Sequence, residues 1–229
     1  MLMSTLNIGL IGAGRIGQVH ASTIAYRVNT AQLAAVTDPI ATSAQSVAAK
    51  FRIPKIAADY KEIIADKNID AVMVCTPTDT HAEIIIAAAR AGKHIFCEKP
   101  IALDLKQTDA AIEAAETAGV KLQMGFQRRF DANFARLKQA VSAGEIGELR
   151  MVHSTSRDPG PPPVSYIKVS GGIFVDMSIH DWDMLRFVTG SEVTEVYAQG
   201  GVMVDPAIGE AGDTDTHVTL LRFANGVIG

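Results

Sequence analysis

The chain has 229 residues and a formal net charge of -4 at pH 7. This length allows one large domain or two modest ones, and the mild charge, without a basic stripe, argues against a nucleic-acid-binding protein. The N-terminus lacks the positive segment of a signal peptide, and no apolar run could span a bilayer, so we expect a cytoplasmic protein without a membrane partner. The only cysteines, Cys75 and Cys97, each end an apolar run, which is typical of buried, reduced thiols.

The first half of the chain alternates short apolar runs with alanine-rich helical patterns. This alternation predicts a doubly wound parallel sheet, because fully apolar runs suit strands that are covered on both faces. Thr80 and Glu83 fit a capping box at the start of one helix. The predicted strands are 7–11, 32–37, 71–75, 93–97 and 121–126, and the predicted helices are 15–28, 41–51, 60–65, 80–91 and 104–118.

The pattern changes after about residue 126, which predicts a Rossmann domain at 1–125 and an α+β domain at 126–229. Asn225-Gly226 is a hairpin turn signal, and the strand that returns from it stops at Gly229. We therefore expect that the natural protein continues, and that the second domain is truncated here with an open, mainly antiparallel sheet. Its predicted strands are 148–156, 192–199 and 217–223, its predicted helices are 130–142 and 176–188, and a Pro/Gly loop is predicted at 158–163.

A glycine motif follows the first predicted strand and opens the first helix. Gly12, Gly14 and Gly17 form G-x-G-x-x-G around Arg15 and Ile16. The first glycine permits a tight turn, the second lets the backbone approach a pyrophosphate, and the third lets helix and strand pack closely. The helix N-terminus would supply N–H donors to the phosphates. The motif predicts a dinucleotide site, with an ordinary tight turn as the alternative.

An acidic residue, Asp38, ends the second predicted strand about 20 residues after the glycines. A carboxylate there accepts both hydroxyls of the adenosine ribose and repels a 2′-phosphate, which predicts NAD as the cofactor in preference to NADP. The alternative is that Asp38-Pro39 forms only a turn or a helix cap.

Polar residues also follow three later strands, at the edge where ligands of parallel sheets bind. Thr76 and Pro77 follow 71–75, with His81 as a structural residue of the next helix start. Glu98 and Lys99 follow 93–97, where a lysine stabilises an alkoxide unless it is only a solvated surface charge. Arg128 and Arg129 follow 121–126. One of the two would bind substrate hydroxyls, and the alternative is an ion pair with a carboxylate of the second domain.

The most informative stretch is 171–183, in which Asp176 and His180 are four residues apart. On a helix this spacing places both side chains on one face, where a carboxylate orients an imidazole as a general base. One alternative is a metal site formed by His180, Asp181 and Asp183, but the remaining histidines are scattered, so we expect no metal. The other alternative is a buried pair that only supports packing.

Together these motifs resemble the Gfo/Idh/MocA oxidoreductase family over the whole chain. The family-level motifs are GAGRIG at 12–17, EKP at 98–100 and Asp-x-x-x-His at 176–180. Four further segments resemble the inositol dehydrogenases of that family, at 75–81, 125–131, 156–184 and 212–215.

The resemblance implies a reaction: NAD-dependent oxidation of a ring hydroxyl of a cyclic polyol, expected to be myo-inositol, to the ketone. Dehydrogenation of another sugar or inositol isomer, NAD-dependent glycoside cleavage and non-catalytic dinucleotide sensing stay open as alternatives. The resemblance also implies a cis Lys99–Pro100 bond, a longer chain, and a homo-oligomer, with a tetramer as the expected form.

The resemblance further assigns roles to individual residues. The catalytic triad would be Lys99, Asp176 and His180. The same three residues, with Arg129 and Asp158, would bind the substrate, and Arg157 and Tyr166 would lie near the polyol. The cofactor would be bound by Gly12, Gly14, Arg15, Ile16, Gly17, Asp38, Thr76, Pro77, His81, Glu98 and Lys99.

Overall fold

The computed structural model describes residues 5–229 and divides into two compact units, one ending at Gly125 and the other comprising Phe126–Gly229. Residues 1–4, part of the N-terminus that we expect not to be a signal peptide, lie outside the described residues. From residue 5 onwards, no helix is both long enough and apolar enough to cross a membrane.

The first unit is a doubly wound sheet with helices between its strands. In chain order its elements are β1 (Leu6–Ile11), α1 (Arg15–Arg27), β2 (Ala31–Thr37), α2 (Ala41–Phe51), β3 (Lys55–Ile56), α3 (Tyr60–Ala65), β4 (Ala71–Val74), α4 (His81–Arg90), β5 (His94–Cys97), α5 (Leu105–Thr117) and β6 (Leu122–Met124). The strands are all parallel, in the order β3-β2-β1-β4-β5-β6. This arrangement confirms the predicted Rossmann sheet.

Apolar side chains form two cores, one on each face of this sheet. One core includes Ile63, Ile85 and Ala111 from α3, α4 and α5. The other includes Ala21 and Val47 from α1 and α2. Because β1 lies between β2 and β4, the strand order reverses there, and sheets of this type bind ligands at the carboxyl ends of the strands beside such a reversal. The glycine motif follows β1 directly at this point.

The second unit combines helices with an antiparallel pair of strands, as predicted. Its elements are α6 (Ala132–Ser142), α7 (Val164–Ser170), α8 (Ile179–Thr189), β7 (Val193–Gly201), α9 (Pro206–Glu210) and β8 (Thr216–Phe223). Strand β7 pairs with β8. A small core joins Leu185 of α8 to Leu221 and Phe223 of β8 and to Val227, which follows the Asn225-Gly226 turn.

The predicted strand at 148–156 is wrong. In the described part of the chain, this segment pairs only through Met151, which bridges Ile228 in parallel. The amide of Val152 donates to the Ile228 carbonyl at 3.0 Å, and the Ile228 amide donates to the Arg150 carbonyl at 3.2 Å. Pairing with one residue does not extend into a ladder, so alternating polarity alone did not produce a strand.

The predicted capping box is also wrong, although α4 begins beside Thr80. The Thr80 hydroxyl contacts the Pro77 carbonyl and the Thr76 hydroxyl, each at 2.7 Å, instead of capping the helix. The Glu83 carboxylate accepts a hydrogen bond from the Tyr60 hydroxyl. Both side chains are therefore engaged by partners outside the helix start.

Candidate active site

The glycine motif forms a backbone cradle that fits a pyrophosphate. A Cβ atom on Gly12, whose φ is 98°, would lie 2.5 Å from the Cys75 carbonyl oxygen, and one on Gly17 would lie 2.1 Å from the Gly12 oxygen. A Cβ atom on Gly14 would meet nothing within 4 Å among the described residues. Close backbone contacts within the protein thus require glycine at positions 12 and 17, whereas Gly14 borders open space. Arg15 and Ile16 are exposed at the start of α1.

The carboxylate of Asp38 is fastened to this cradle. Its Oδ2 accepts the amide of Ala13 at 2.7 Å, and its Oδ1 accepts the amide of Ile40 at 2.8 Å. The residue therefore forms the local turn that was the alternative to ribose binding. Because each carboxylate oxygen accepts more than one hydrogen bond, Asp38 also retains capacity for a ribose diol. The predicted role and the turn are compatible.

The loop after β4 is joined to the loop after β5 by His81. This side chain is 1% exposed, and its Nδ1 and Nε2 atoms lie 2.7 Å and 2.8 Å from the carbonyl oxygens of Pro100 and Thr76. The ring supports both loops and presents almost no surface to a ligand. These contacts agree with the structural role predicted for His81, and its place among the cofactor-binding residues stays a prediction. Thr76 and Pro77 stay predictions as cofactor contacts.

Glu98 is held from two sides at the end of β5. Its Oε1 lies 2.6 Å from Nε2 of His20, whose ring is edge-on to Phe96 at 4.9 Å. On the other side, a Cβ atom on Gly125 would lie 2.8 Å from Glu98 Oε2. The following Lys99–Pro100 peptide bond is cis, as predicted. Glu98 is therefore fixed beside the lysine that the resemblance assigns to catalysis.

In the second unit, Asp176 and His180 flank a junction between two kinds of helix. Asp176 belongs to a π-helical turn at Ile173–Met177, and His180 is the second residue of α8. The predicted continuous helix from residue 176 is corrected to this arrangement. The Tyr166 hydroxyl donates to Asp176 Oδ1 at 3.0 Å. The carboxylate is thus oriented by a side chain that the resemblance places near the polyol.

The two arginines after β6 form ion pairs with α8. Arg128 donates to Asp181 at 3.0 Å, and Arg129 donates to Asp183 through Nε and Nη2, with a shortest distance of 2.6 Å. Hydrogen bonds to Asp183 raise the pKa of Arg129 above its usual value. These contacts match the ion-pair alternative, and substrate binding by Arg129 stays a prediction. They also engage both carboxylates of the metal alternative.

Asp158, another predicted substrate contact, lies in an exposed segment and not in a helix or strand. It and Arg157 are exposed, in a segment that follows Met151 and, within the described residues, contains neither helix nor strand up to α7. Their roles near the polyol stay predictions.

Models of known protein families match both units. A model described as an oxidoreductase family with an NAD-binding Rossmann fold matches residues 6–126, and a model of the GFO/IDH/MocA C-terminal domain matches residues 134–229. The chain belongs to the Gfo/Idh/MocA oxidoreductase family. Its first unit is therefore an NAD-binding Rossmann domain, in agreement with the glycine cradle.

Several members of the Gfo/Idh/MocA family are similar to the chain over nearly its whole length. It is 50% identical to a myo-inositol 2-dehydrogenase of Thermotoga maritima, covering 98% of this chain and 67% of the relative. It is 49% identical to an inositol 2-dehydrogenase of Rhizobium meliloti, covering 97% of this chain and 66% of the relative. The structure of a scyllo-inositol dehydrogenase from Lactobacillus casei, with bound NAD(H) and scyllo-inositol, superposes with a TM-score of 0.90 at 34% identity, covering 98% and 68% of the two chains. The chain thus spans about two thirds of the length of these proteins.

One structural feature of this Gfo/Idh/MocA chain was not predicted from its sequence. Asp213 Oδ2 accepts the Ile173 amide at 2.9 Å, where the π-helical turn begins. A Cβ atom on Gly172 would lie 2.6 Å from Asp213 Oδ1, so glycine is required for this contact. The available signal was the segment 212–215, which resembles inositol dehydrogenases but had no assigned role.

Proposed function

We propose that the complete protein oxidises a ring hydroxyl of myo-inositol to a ketone with NAD⁺ as the oxidant. The substrate loses one hydride and one proton, giving a ketone, NADH and H⁺. The observation that carries the choice of substrate is the 50% identity to a myo-inositol 2-dehydrogenase, which extends through 98% of this chain. The residues of the two units support the chemistry.

In this proposal His180 removes the hydroxyl proton on a ring nitrogen. The carboxylate of Asp176 orients that ring and stabilises its cationic form. The ammonium of Lys99 stabilises the negative charge that develops on the substrate oxygen. These roles require the complete protein to bring Lys99 of the first unit together with Asp176 and His180 of the second.

The residues for the cofactor lie in the first unit. Gly12, Gly14 and Gly17 cradle the pyrophosphate, Asp38 accepts the ribose hydroxyls, and Glu98 lies near the nicotinamide ribose. When bound, NAD⁺ supplies the hydride acceptor, and its own electronics carry that step. Glu98 Oε1 lies 2.6 Å from His20 Nε2, and this contact favours a fixed carboxylate at this site.

We further propose that the protein is a cytoplasmic homo-oligomer, with a tetramer as the expected form. Burial raises the pKa of both cysteine thiols, Cys75 and Cys97, which suits a compartment where thiols stay reduced. In the β7–β8 sheet, Tyr197 is 62% and Val218 is 69% exposed, and apolar surface of this kind favours a subunit contact. Light scattering on the full-length protein tests the assembly, and a monomer at micromolar concentration would contradict it.

The test of the function is a panel of inositol isomers and other polyols, offered to the full-length protein with NAD⁺ while NADH formation is followed. We expect the highest kcat/KM with myo-inositol. Preference for another isomer or sugar would change the substrate but keep the reaction. Release of a free sugar from a glycoside without net NADH would identify a glycosidase, and absence of any turnover would support a dinucleotide sensor.

A further inference from the structure

His217 of β8 contacts the segment that carries Asp176 and His180, although neither residue is near it in sequence. Its Nε2 lies 2.7 Å from the hydroxyl of Ser178, and its Nδ1 lies 3.1 Å from the hydroxyl of Thr219. Ser178 is 2% exposed. The imidazole is therefore anchored on its own strand by one nitrogen and reaches the buried serine with the other.

Ser178 is the residue at which the π-helical turn becomes α8. Its amide donates to the Ile173 carbonyl at 2.8 Å, which closes the turn. Its carbonyl accepts the amides of Asp181 and Trp182, each at 2.9 Å, which begins the helix. A side-chain contact at Ser178 therefore acts on the junction between the turn that carries Asp176 and the helix that carries His180.

The contact between Ser178 and His217 lies away from the direction in which the Asp176 and His180 side chains project. Residues two apart on a helical turn do not face each other, and Ser178 is two residues from both Asp176 and His180. Its hydroxyl makes no capping bond to the start of α8 within the described residues. Removing the hydroxyl would thus delete the contact with His217 and leave the helix start intact.

The ring of His217 also packs against apolar neighbours. Its centroid lies 4.6 Å from that of Phe174 and 5.9 Å from that of Trp182, and the Trp182 indole donates to the Phe174 carbonyl at 3.1 Å. An apolar residue of similar size would preserve much of this packing while losing the hydrogen bond. The two contributions can therefore be separated by substitution.

We propose that His217 is a positioning residue: through its hydrogen bond to Ser178 it sets the direction in which Asp176 and His180 project. The inference rests on the proposed function, because it concerns the alignment of the proposed general base. Misalignment of a catalytic group by about 1 Å lowers turnover by up to about 100-fold. The NAD⁺ cradle belongs to the other unit, so cofactor binding should not respond.

The test uses the full-length protein and a double-mutant cycle. Ser178→Ala, His217→Leu and the double variant remove the same hydrogen bond, and we expect each to lower kcat about 10- to 100-fold, with the double variant no worse than the poorer single variant. The KM for NAD⁺ should change less than about twofold in all three. His217→Gln keeps a donor and an acceptor at similar reach and should restore most of the turnover.

His153→Gln is the matched control, because His153 is an exposed histidine of the same unit whose Nε2 contacts only Thr155, at 3.3 Å, among its described hydrogen bonds. It should leave kcat unchanged. If His217→Leu and Ser178→Ala lower the thermal midpoint but not kcat, or if their effects on kcat multiply, His217 is a packing residue and the proposal is overturned.

A second measurement does not depend on turnover. The ring C–H signals of His180 can be followed by NMR in full-length protein, assigned by their loss in His180→Ala. Ser178→Ala and His217→Leu should both shift these signals, and His153→Gln should leave them in place. Unmoved His180 signals would overturn the positioning role. A parent protein that oxidises no polyol would instead disprove the proposed function, while the NMR result would still decide the inference.

Discussion

The amide of Ala13, in the glycine loop, donates a 2.7 Å hydrogen bond to the carboxylate of Asp38 at the end of β2. One carboxylate thus shapes the phosphate loop and borders the position proposed for the adenosine ribose. Asp38→Ala should lower NAD⁺ affinity and narrow the preference for NAD⁺ over NADP⁺, because both the loop contact and the charge that repels a 2′-phosphate are lost. The measurement is kcat/KM for each cofactor in the parent and the variant.

Asp59→Ala is a suitable control for Asp38, because Asp59 also accepts a backbone amide, that of Glu62, but caps α3. It should leave the ratio of the two kcat/KM values unchanged. Equal kcat/KM for NAD⁺ and NADP⁺ in the parent would remove the specificity role of Asp38.

Substitution of the proposed acid–base residues should lower turnover without weakening cofactor binding. His180→Ala should lower kcat at least about 100-fold, the usual scale for a positioned acid–base group, and Lys99→Ala should cause a similar loss. Asp176→Asn should be milder, since it misorients the base without deleting it. In the parent, kcat/KM for oxidation should rise with pH through one ionisation. Near-parental kcat in His180→Ala would return Asp176 and His180 to a structural role.

The hydrogen bond from Tyr166 to Asp176 predicts a smaller effect. Tyr166→Phe should lower kcat by no more than about tenfold, because a hydrogen bond to a charged group is worth about 1.5 kcal/mol and Tyr166 is partly exposed. Tyr26→Phe, on α1, is the matched control, because Tyr26 is 70% exposed, and it should not change kcat. A loss larger than that of Asp176→Asn would mean that Tyr166 contacts the substrate directly.

Asp215 predicts a pH-dependent contribution to stability. Its carboxylate accepts the amides of Met203, Val204 and Asp205, and these hydrogen bonds hold its pKa well below the usual value. The contribution is fully present well above the unfolded-state pKa of about 3.9, and it is lost gradually as the pH falls from there through the lower folded-state pKa. Asp215→Asn should therefore lower the thermal midpoint at about pH 7 and have less effect at about pH 3. An equal decrease at both pH values would contradict this assignment.

The sequence was most informative where structure depends on neighbouring residues. The apolar run before Gly12 and the helical pattern after it lie within a few residues of each other, so β1, the loop and α1 could be predicted together. Contacts between residues that are distant in sequence could not be predicted. The partners of Arg128 and Arg129 are more than fifty positions away, and the contact between Ser178 and His217 spans 39 positions.

Errors in the predictions arise where a local pattern does not show which partners its residues will meet. Thr80 and Glu83 have the correct spacing for a capping box. However, the Thr80 hydroxyl is bonded to Thr76 and Pro77, and the Glu83 carboxylate is bonded to Tyr60. The segment 148–156 has the alternation of a strand, but a strand also needs a partner of matching length, which a local pattern does not reveal. The π-helical turn before α8 likewise depends on Asp213, 40 residues after Ile173.

The proposed function requires hydride transfer from a ring carbon of the polyol to NAD⁺. The experiment uses full-length protein, NAD⁺ and myo-inositol that carries deuterium on all six ring carbons, with the reduced cofactor analysed by mass spectrometry. We expect NADH that contains one deuterium at C4 of the nicotinamide, formed at a rate that falls at least about 100-fold in His180→Ala. Unlabelled NADH, or no reduction of NAD⁺ by the parent protein, would contradict it.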